Sequence, residues 1–473
     1  MESDPKAQNQ DQLLVNPPAP LAGPDPVPAQ ESYLSRLKNY IFKGGKALRH
    51  RNYRLYWTGQ LVSLIGTWMQ NLAQSWLVLT LSNNDPFALG LVAGLQFLPT
   101  LLFSLFTGVI ADRYSKHRIL LITQSSSMAV AALLGVLTVG GWVQLWHVYL
   151  CALALGMVNA LDMPTRQSFV SEMVGKDDLM NAVALNSTIF NAARVVGPAV
   201  AGLLIGLGEA IFRSTEAGVA LAIWLNAFSY IAVIIGLLKM DTSKLFQNSR
   251  KRLEGSVFKN LGEGLSFIWH TPSIATLIIV VGMVGTFGFN FNVWIPVIAR
   301  EILKVGADGY GILMAGLGLG ALFSSLYIAV NAKNPNHRNI LIATAWFAFF
   351  EAGVALSGNF FLTLFFMVGT GLAMIQVSAA TNTYVQMNTP DHLRGRVMSV
   401  YMLVFAGTTP FGSVFVGWLS SAGGTPFSMF TSAVLSGLAV PIALLYYRRN
   451  HNYKRAGRAV LTPTPEAAPS TEQ

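Results

Sequence analysis

Between Trp57 and Tyr447 one apolar stretch follows another, many of them longer than about 18 residues, the length at which a helix begins to span a bilayer. No other feature restricts the fold so strongly. Hydrocarbon offers no water to the backbone, so each crossing segment must satisfy its own N–H and C=O groups, and segments of this length do so as helices. Composition agrees: 11% of the 473 residues are charged and 52% are hydrophobic, whereas soluble domains carry roughly 25% charged residues. The expected fold class is therefore an all-α membrane protein. Its twelve expected spans are 55–80, 87–111, 118–139, 145–165, 181–207, 218–238, 273–299, 309–331, 339–357, 359–384, 396–421 and 427–447. Pro99, Gly197, Pro198, Pro296, Gly316, Gly318 and Gly320 fall inside them. In a membrane bundle such residues are tolerated and let helices approach closely.

The net charge of +10 is spread between the apolar segments rather than over one soluble face, which argues against a nucleic-acid partner. Lys116, Lys176, Lys251, Arg338 and Arg394 mark one set of loops, while the alternate set holds only Arg213, Arg300 and Lys304. By the positive-inside rule the basic side is cytoplasmic, and an even number of spans puts both termini there. Residues 1–30 are polar, lack the apolar core of a signal peptide and read as a disordered tail. Residues 31–54 form a basic, partly amphipathic segment suited to an anionic leaflet. The basic linker 239–272 divides the chain into six-helix halves, 55–238 and 273–447, and 448–473 is a second cytoplasmic tail. The single cysteine, Cys151, lies in an apolar run and rules out a disulfide within the chain.

The halves repeat. GLVAGLQFLPTLLFSLFTGVIADRYSKHRIL from Gly90 pairs with GILMAGLGLGALFSSLYIAVNAKNPNHRNIL from Gly311, and EMVGKDDLMNAVALN from Glu172 pairs with QMNTPDHLRGRVMSV from Gln386. Both matches fall in the same topological place, in the same order. Such duplication builds transporters that work by alternating access around a midplane site.

Gly108-Val-Ile-Ala-Asp112-Arg113-Tyr-Ser115-Lys116-His117-Arg118 resembles the loop signature between spans two and three of the major facilitator superfamily, with Ser115 and Lys116 in place of the usual glycine and arginine. Gly197-Pro198-Ala-Val-Ala-Gly202 is loosely similar to the superfamily's antiporter motif in span five. The run Asn159-Ala-Leu-Asp162-Met-Pro164-Thr-Arg166-Gln167, with Glu172-Met-Val-Gly and Asn181-Ala-Val-Ala-Leu-Asn186 after it, resembles the bacterial branch that includes the enterobactin exporter and macrolide efflux proteins. The resemblance covers roughly residues 50–450. It implies two pseudo-symmetric six-helix halves and export of a small molecule coupled to protons, without naming the molecule.

Several polar residues inside spans are candidates for the site. Gln60, Ser63, Thr67, Gln70, Asn71 and Gln74 share one face of span one. They either line a cavity or hydrogen-bond between helices. Ser187, Asn191 and Arg194 share a face of span five, and Arg194 is the one Arg or Lys deep in a span. It either anchors cargo, takes part in ion coupling or closes a structural ion pair. Asp162 and Arg166 are spaced as a helical pair, with Pro164 between them disturbing the helix, at a gate or a brace. Glu351 in span nine either carries a proton or donates a hydrogen bond. Asp112, Glu172 and Arg396 stand at cytoplasmic helix ends. By the resemblance, Asp112 meets the start of span eleven and helps keep the inside closed, with Arg113 beside it in the signature. In span seven, amides interrupt the aromatic run Phe287, Phe289, Asn290, Phe291, Asn292, which suits a pocket for bulky cargo.

No Walker sequence, metal-spaced His or Cys cluster or nucleophile motif is visible, so neither an enzyme nor a cofactor is expected. The reading is a proton-coupled exporter of a hydrophobic or amphipathic small molecule in the bacterial inner membrane, a monomer whose partners are its substrate, protons and lipids. A dedicated siderophore exporter is the alternative within the class; a scaffold or sensor without transport is the alternative outside it.

Overall fold

Local chemistry sets many of the helix starts. Asp85 accepts the backbone N–H of Phe87, with Pro86 at the first helical position. Ser214, Asn336 and Asn359 cap their helices in the same way. A computed structural model describes residues 45–246, 257–331 and 335–461. The expected segments 1–30 and 31–44, the linker residues 247–256 and the tail residues 462–473 lie outside it.

The first half is α1 (Arg51–Leu81), α2 (Pro86–Arg113), α3 (Lys116–Val139), α4 (Leu145–Val174), α5 (Leu179–Phe212) and α6 (Thr215–Leu238). A linker helix, α7 (Val257–His270), precedes the second half. That half is α8 (Pro272–Ile302), α9 (Ala307–Asn331), α10 (His337–Leu356), α11 (Phe360–Met387), α12 (Asp391–Gly423, broken at Thr408) and α13 (Thr425–Leu461). Eleven of the described helices are long and apolar enough to cross a membrane. The twelfth is α1, whose 31 residues extend about 46 Å at 1.5 Å per residue. The amides of its polar stripe lower its hydropathy.

The elements depart from the sequence expectation in three places. The linker expected at 239–272 contains α7, held by Ile268 in the core and by the Gly264 backbone against that of Arg396. Span four continues through Pro164 to Val174, because neighbouring helices support the backbone there. The last helix runs on to Leu461, into the stretch read as a tail. In addition, α8 relaxes into π-turns at Val284–Gly288 and Ile298–Ile302, on either side of Phe291–Val297. Such turns often mark functional segments.

Packing reproduces the repeat. In the first half α1 packs on α6, α2 on α4 and α3 on α6; in the second α8 packs on α13, α9 on α11 and α10 on α13. The halves meet where α2 lies against α12 and, symmetrically, where α9 lies against α5. The opening glycines of the repeated segments make these crossings. A Cβ on Gly90 would stand 2.4 Å from the Ser413 carbonyl oxygen and 3.1 Å from Gly417 Cα. One on Gly311 would stand 2.6 Å from the Pro198 carbonyl oxygen and 3.0 Å from Gly202 Cα. Only a hydrogen side chain permits either contact.

Candidate functional site

The seal between the halves lies at the charge-poor helix ends. Ser421 Oγ donates to Asp85 Oδ1 at 2.6 Å, joining the start of α2 to the end of α12. Arg300 Nη1 donates to Thr80 Oγ1 at 3.2 Å, and its guanidinium lies 5.4 Å from the Trp76 ring centroid. Trp76 in turn stacks on Tyr310 of α9, centroids 6.0 Å apart. Arg300 thus ties α8 to the end of α1, within a desolvated aromatic corner where a cation–π contact gains strength.

At the basic ends the ion pairs among the described residues stay within their own halves. Glu172 pairs with Lys116, and its backbone carbonyl accepts Phe246 N–H at 2.8 Å. Arg396 pairs with Glu263 of α7. Arg113 is exposed at the end of α2, and Asp112 sits in the same last turn with its side chain outside the described residues. Asp178 is shared by Arg49, at 2.8 Å, and His50, at 2.7 Å, while Asn181 Oδ1 accepts Ala47 N–H. These bonds hold the Lys46–Arg49 turn on the loop between α4 and α5. The hydrogen bond from His50 first and that from Arg49 second hold the Asp178 carboxyl below its ordinary range.

Inside the first half Asp162, almost fully enclosed, accepts from Thr123 Oγ1 at 2.7 Å and Gln124 Nε2 at 2.8 Å and pairs with Arg166. Arg166 Nη1 donates to Gln60 Oε1 at 3.0 Å. One charged network therefore joins α1, α3 and α4. The spacing of Asp162 and Arg166 pointed to their pairing, and Pro164 does not prevent it. Thr123 and Gln124 were missed, although a Thr-Gln pair beside Ser125-Ser126-Ser127 in an apolar run was a signal.

The α1 stripe divides. Gln70 Oε1 accepts from Asn226 Nδ2 of α6 at 2.5 Å, so Gln60 and Gln70 both tie helices together. Thr67 bonds back to Ser63 of its own helix. Asn71 and Gln74 extend the same face, with no interhelical bond from their side chains among the described residues. In α8, Asn290 Nδ2 donates to the Thr286 carbonyl and its Oδ1 accepts from Ser413 Oγ at 3.0 Å, which steadies the break between the π-turn and the next helical turn against α12. Asn191 Nδ2 donates to the Ser187 carbonyl, leaving Oδ1 without a donor.

Two charged residues stand apart from these networks. Glu351 is completely enclosed, with neither carboxyl oxygen hydrogen-bonded. One turn away on its face Phe347 meets Phe289 and Phe291 of α8. The opposing α13 carries Ser432 and Ser436, both with unbonded hydroxyls. Arg194, the other, has its guanidinium carbon 5.1 Å from the centroids of both Trp68 and Phe190, and its Nε and Nη1 bond to nothing.

Helices paired this way around a broken seventh span, with the halves meeting at one end, define a major facilitator transporter fold. The chain belongs to the family described as transmembrane secretion effector, which matches residues 45–467. It is 27% identical to the staphyloferrin A transporter of Staphylococcus aureus (strain NCTC 8325 / PS 47), over 85% of this chain and 97% of that one. It is 26% identical to the multidrug efflux pump Tap of Mycolicibacterium fortuitum, over 79% and 89%. In structure it is similar to a bacterial homologue of the human lysosomal transporter Spinster, solved inward-facing and unoccupied, with TM-score 0.63, 15% identity and coverage of 85% of this chain and 97% of that chain.

Proposed function

We propose that this chain is a proton-coupled exporter of a small hydrophobic or amphipathic molecule, working by alternating access. One observation supports this most: the halves seal at the charge-poor ends through Gly90, Gly311, Arg300 and Asp85, while the ion pairs described at the basic ends remain inside each half. A two-sided machine needs such an asymmetric state; a scaffold does not. With the basic ends cytoplasmic, both termini and the 239–272 linker lie on the cytoplasmic side of a bacterial plasma membrane, which halves 55–238 and 273–447 span. The protein works as a monomer in contact with lipid.

In this reading Gln60, Thr67, Gln70, Asn71, Gln74, Asn191, Arg194 and Asn290 line or shape the substrate path. Asp112, Arg113, Asp162, Arg166, Glu172 and Arg396 control the cytoplasmic side. Glu351 takes up and releases the coupling proton: an ionised carboxylate without a donor or cation is too costly in that interior, so a change of charge there must accompany a change of packing. Kinship with a staphyloferrin A transporter and with a multidrug pump supports export of a siderophore and of a drug alike.

The test is accumulation of a fluorescent amphipathic dye and of a siderophore in everted vesicles, with and without an inside-acid proton gradient. Accumulation should need the gradient and should not occur in right-side-out vesicles. Glu351→Gln should remove the dependence on the gradient. Uptake of neither compound, or uptake indifferent to the gradient, would overturn the reading.

A further inference from the structure

The structure assigns Arg194 a ligand: we infer that it binds the carboxylate of an amphipathic organic acid, which makes the cargo anionic. This deepens the export reading and rests on it for its physiological meaning.

Two separate faces of α5 are exposed. Val196, Leu203 and Leu207 form one, apolar and suited to lipid. Met180, Val183, Ser187 and Phe190 form the other, at spacings of three and four residues. That second strip runs between two neighbouring helices. On one side Gly197 packs against Trp68 of α1; on the other the backbone at Arg194 packs against Gly318 of α9. It is therefore a wall of the cleft between the halves, leading in from the basic ends. Beyond Arg194 the cleft closes, because Pro198 and Gly202 meet Gly311 backbone to backbone. Arg194 stands at the apex, where a molecule entering from the basic side would stop.

The guanidinium there is incomplete. It keeps its charge at any physiological pH. No carboxylate among the described residues pairs with it, and Nε and Nη1 have no acceptor. Trp68 and Phe190, themselves packed edge to face at 5.7 Å, present ring faces to the cation and hold it in place. A structural arginine at this depth would have its counter-ion nearby. A planar fork at the closed end of the cleft, flanked by aromatic rings and with Nε and Nη1 enclosed and without an acceptor, fits a carboxylate attached to an apolar body once Phe190, exposed on the strip, moves aside. Fifteen residues separate Arg194 from the start of α5 at Leu179, about 22 Å along the helix. Lipid headgroup phosphates therefore stay out of reach.

The experiment measures binding alone, so its failure and a failure of transport are separate results. The full chain in phosphatidylcholine nanodiscs is dialysed to equilibrium against 2-naphthoxyacetate or its uncharged amide, 2-naphthoxyacetamide, with protein-free nanodiscs subtracted. The wild type should hold the acid at least tenfold more tightly than the amide. Arg194→Gln should bind the two alike, and Arg194→Lys should keep part of the preference, having the charge without the fork. Gel filtration and amide binding show that the variants are folded; should Arg194→Gln fail to fold, Arg194→Lys decides, because an unreduced preference there overturns the fork contact. Equal binding of acid and amide by the wild type, binding of neither, or a preference that survives in Arg194→Gln would overturn the assignment.

Discussion

Asp162 shows how a short motif acquires meaning only from residues far away in sequence. Its carboxylate is enclosed, so it needs the Thr123 and Gln124 donors and the Arg166 charge together. Asp162→Asn would leave the Arg166 cation without its partner and should destabilise the protein by about 3 kcal/mol. Asp162→Asn with Arg166→Gln should recover most of that loss, since breaking a buried pair costs more than replacing both members. Thermal unfolding of the detergent-solubilised variants checks it; a double variant no more stable than the single one would show that the pair is not the unit. The pairing of Asp162 with Arg166 was legible because α-helical spacing is a local rule. The Gln60, Thr123 and Gln124 contacts were not, because which faces of α1, α3 and α4 meet is decided by tertiary packing. Arg194 was legible as a charge in a span, but its aromatic neighbours and the lack of a paired carboxylate among the described residues were not.

At the scale of elements, the charge of one residue holds down a whole segment. The Lys46–Arg49 turn is docked on the loop before α5 by Asp178, whose carboxyl is held below its ordinary range by His50 and Arg49. A carboxyl depressed in the folded state contributes stability that is present above its unfolded value, about 3.9, and lost as pH falls through the lower folded value. The contribution of the Asp178 carboxylate to docking should therefore be lost below about pH 4. Asp178→Asn should release the segment at neutral pH. Hydrogen exchange at Ala47 and Leu48 reports both; protection that persists in Asp178→Asn would assign the docking to Asn181 and apolar burial instead. This contact could not be read from the sequence, where Asp178 is one acid in the short polar run Lys176-Asp177-Asp178. The twelve spans could, since long apolar runs have no other way to satisfy their backbones in lipid. The π-turns of α8 and the linker helix α7 could not, because both depend on what they pack against.

On the scale of the whole molecule, the repeat seen in the sequence becomes a mechanical prediction. Gly90 and Gly311 open the two repeated segments, and the structure places both at crossings between the halves, at equivalent positions of α2 and α9. The repeat was legible as text, but its consequence was not: only the packing shows that these glycines face the other half rather than lipid. A Cβ at either position would collide with backbone of the opposite half, which cannot move aside as a side chain can. Gly90→Val and Gly311→Val should therefore disfavour the state sealed at the charge-poor ends while leaving each half's own packing intact. The alternative state available to two rigid halves is the one closed at the basic ends, so the cleft strip of α5 should become hidden. Ser187 is exposed in that strip and reports on it. Ser187→Cys, with buried Cys151 replaced by Ala, should react with a membrane-impermeant maleimide from the basic face, and Gly90→Val or Gly311→Val should slow that reaction several-fold. Because the two crossings are related by the repeat, the two substitutions should act in the same direction. Unchanged labelling in both folded variants would mean that opening one end does not close the other, and the halves would not be the moving parts. Slowing by one substitution alone would confine the pivot to its crossing.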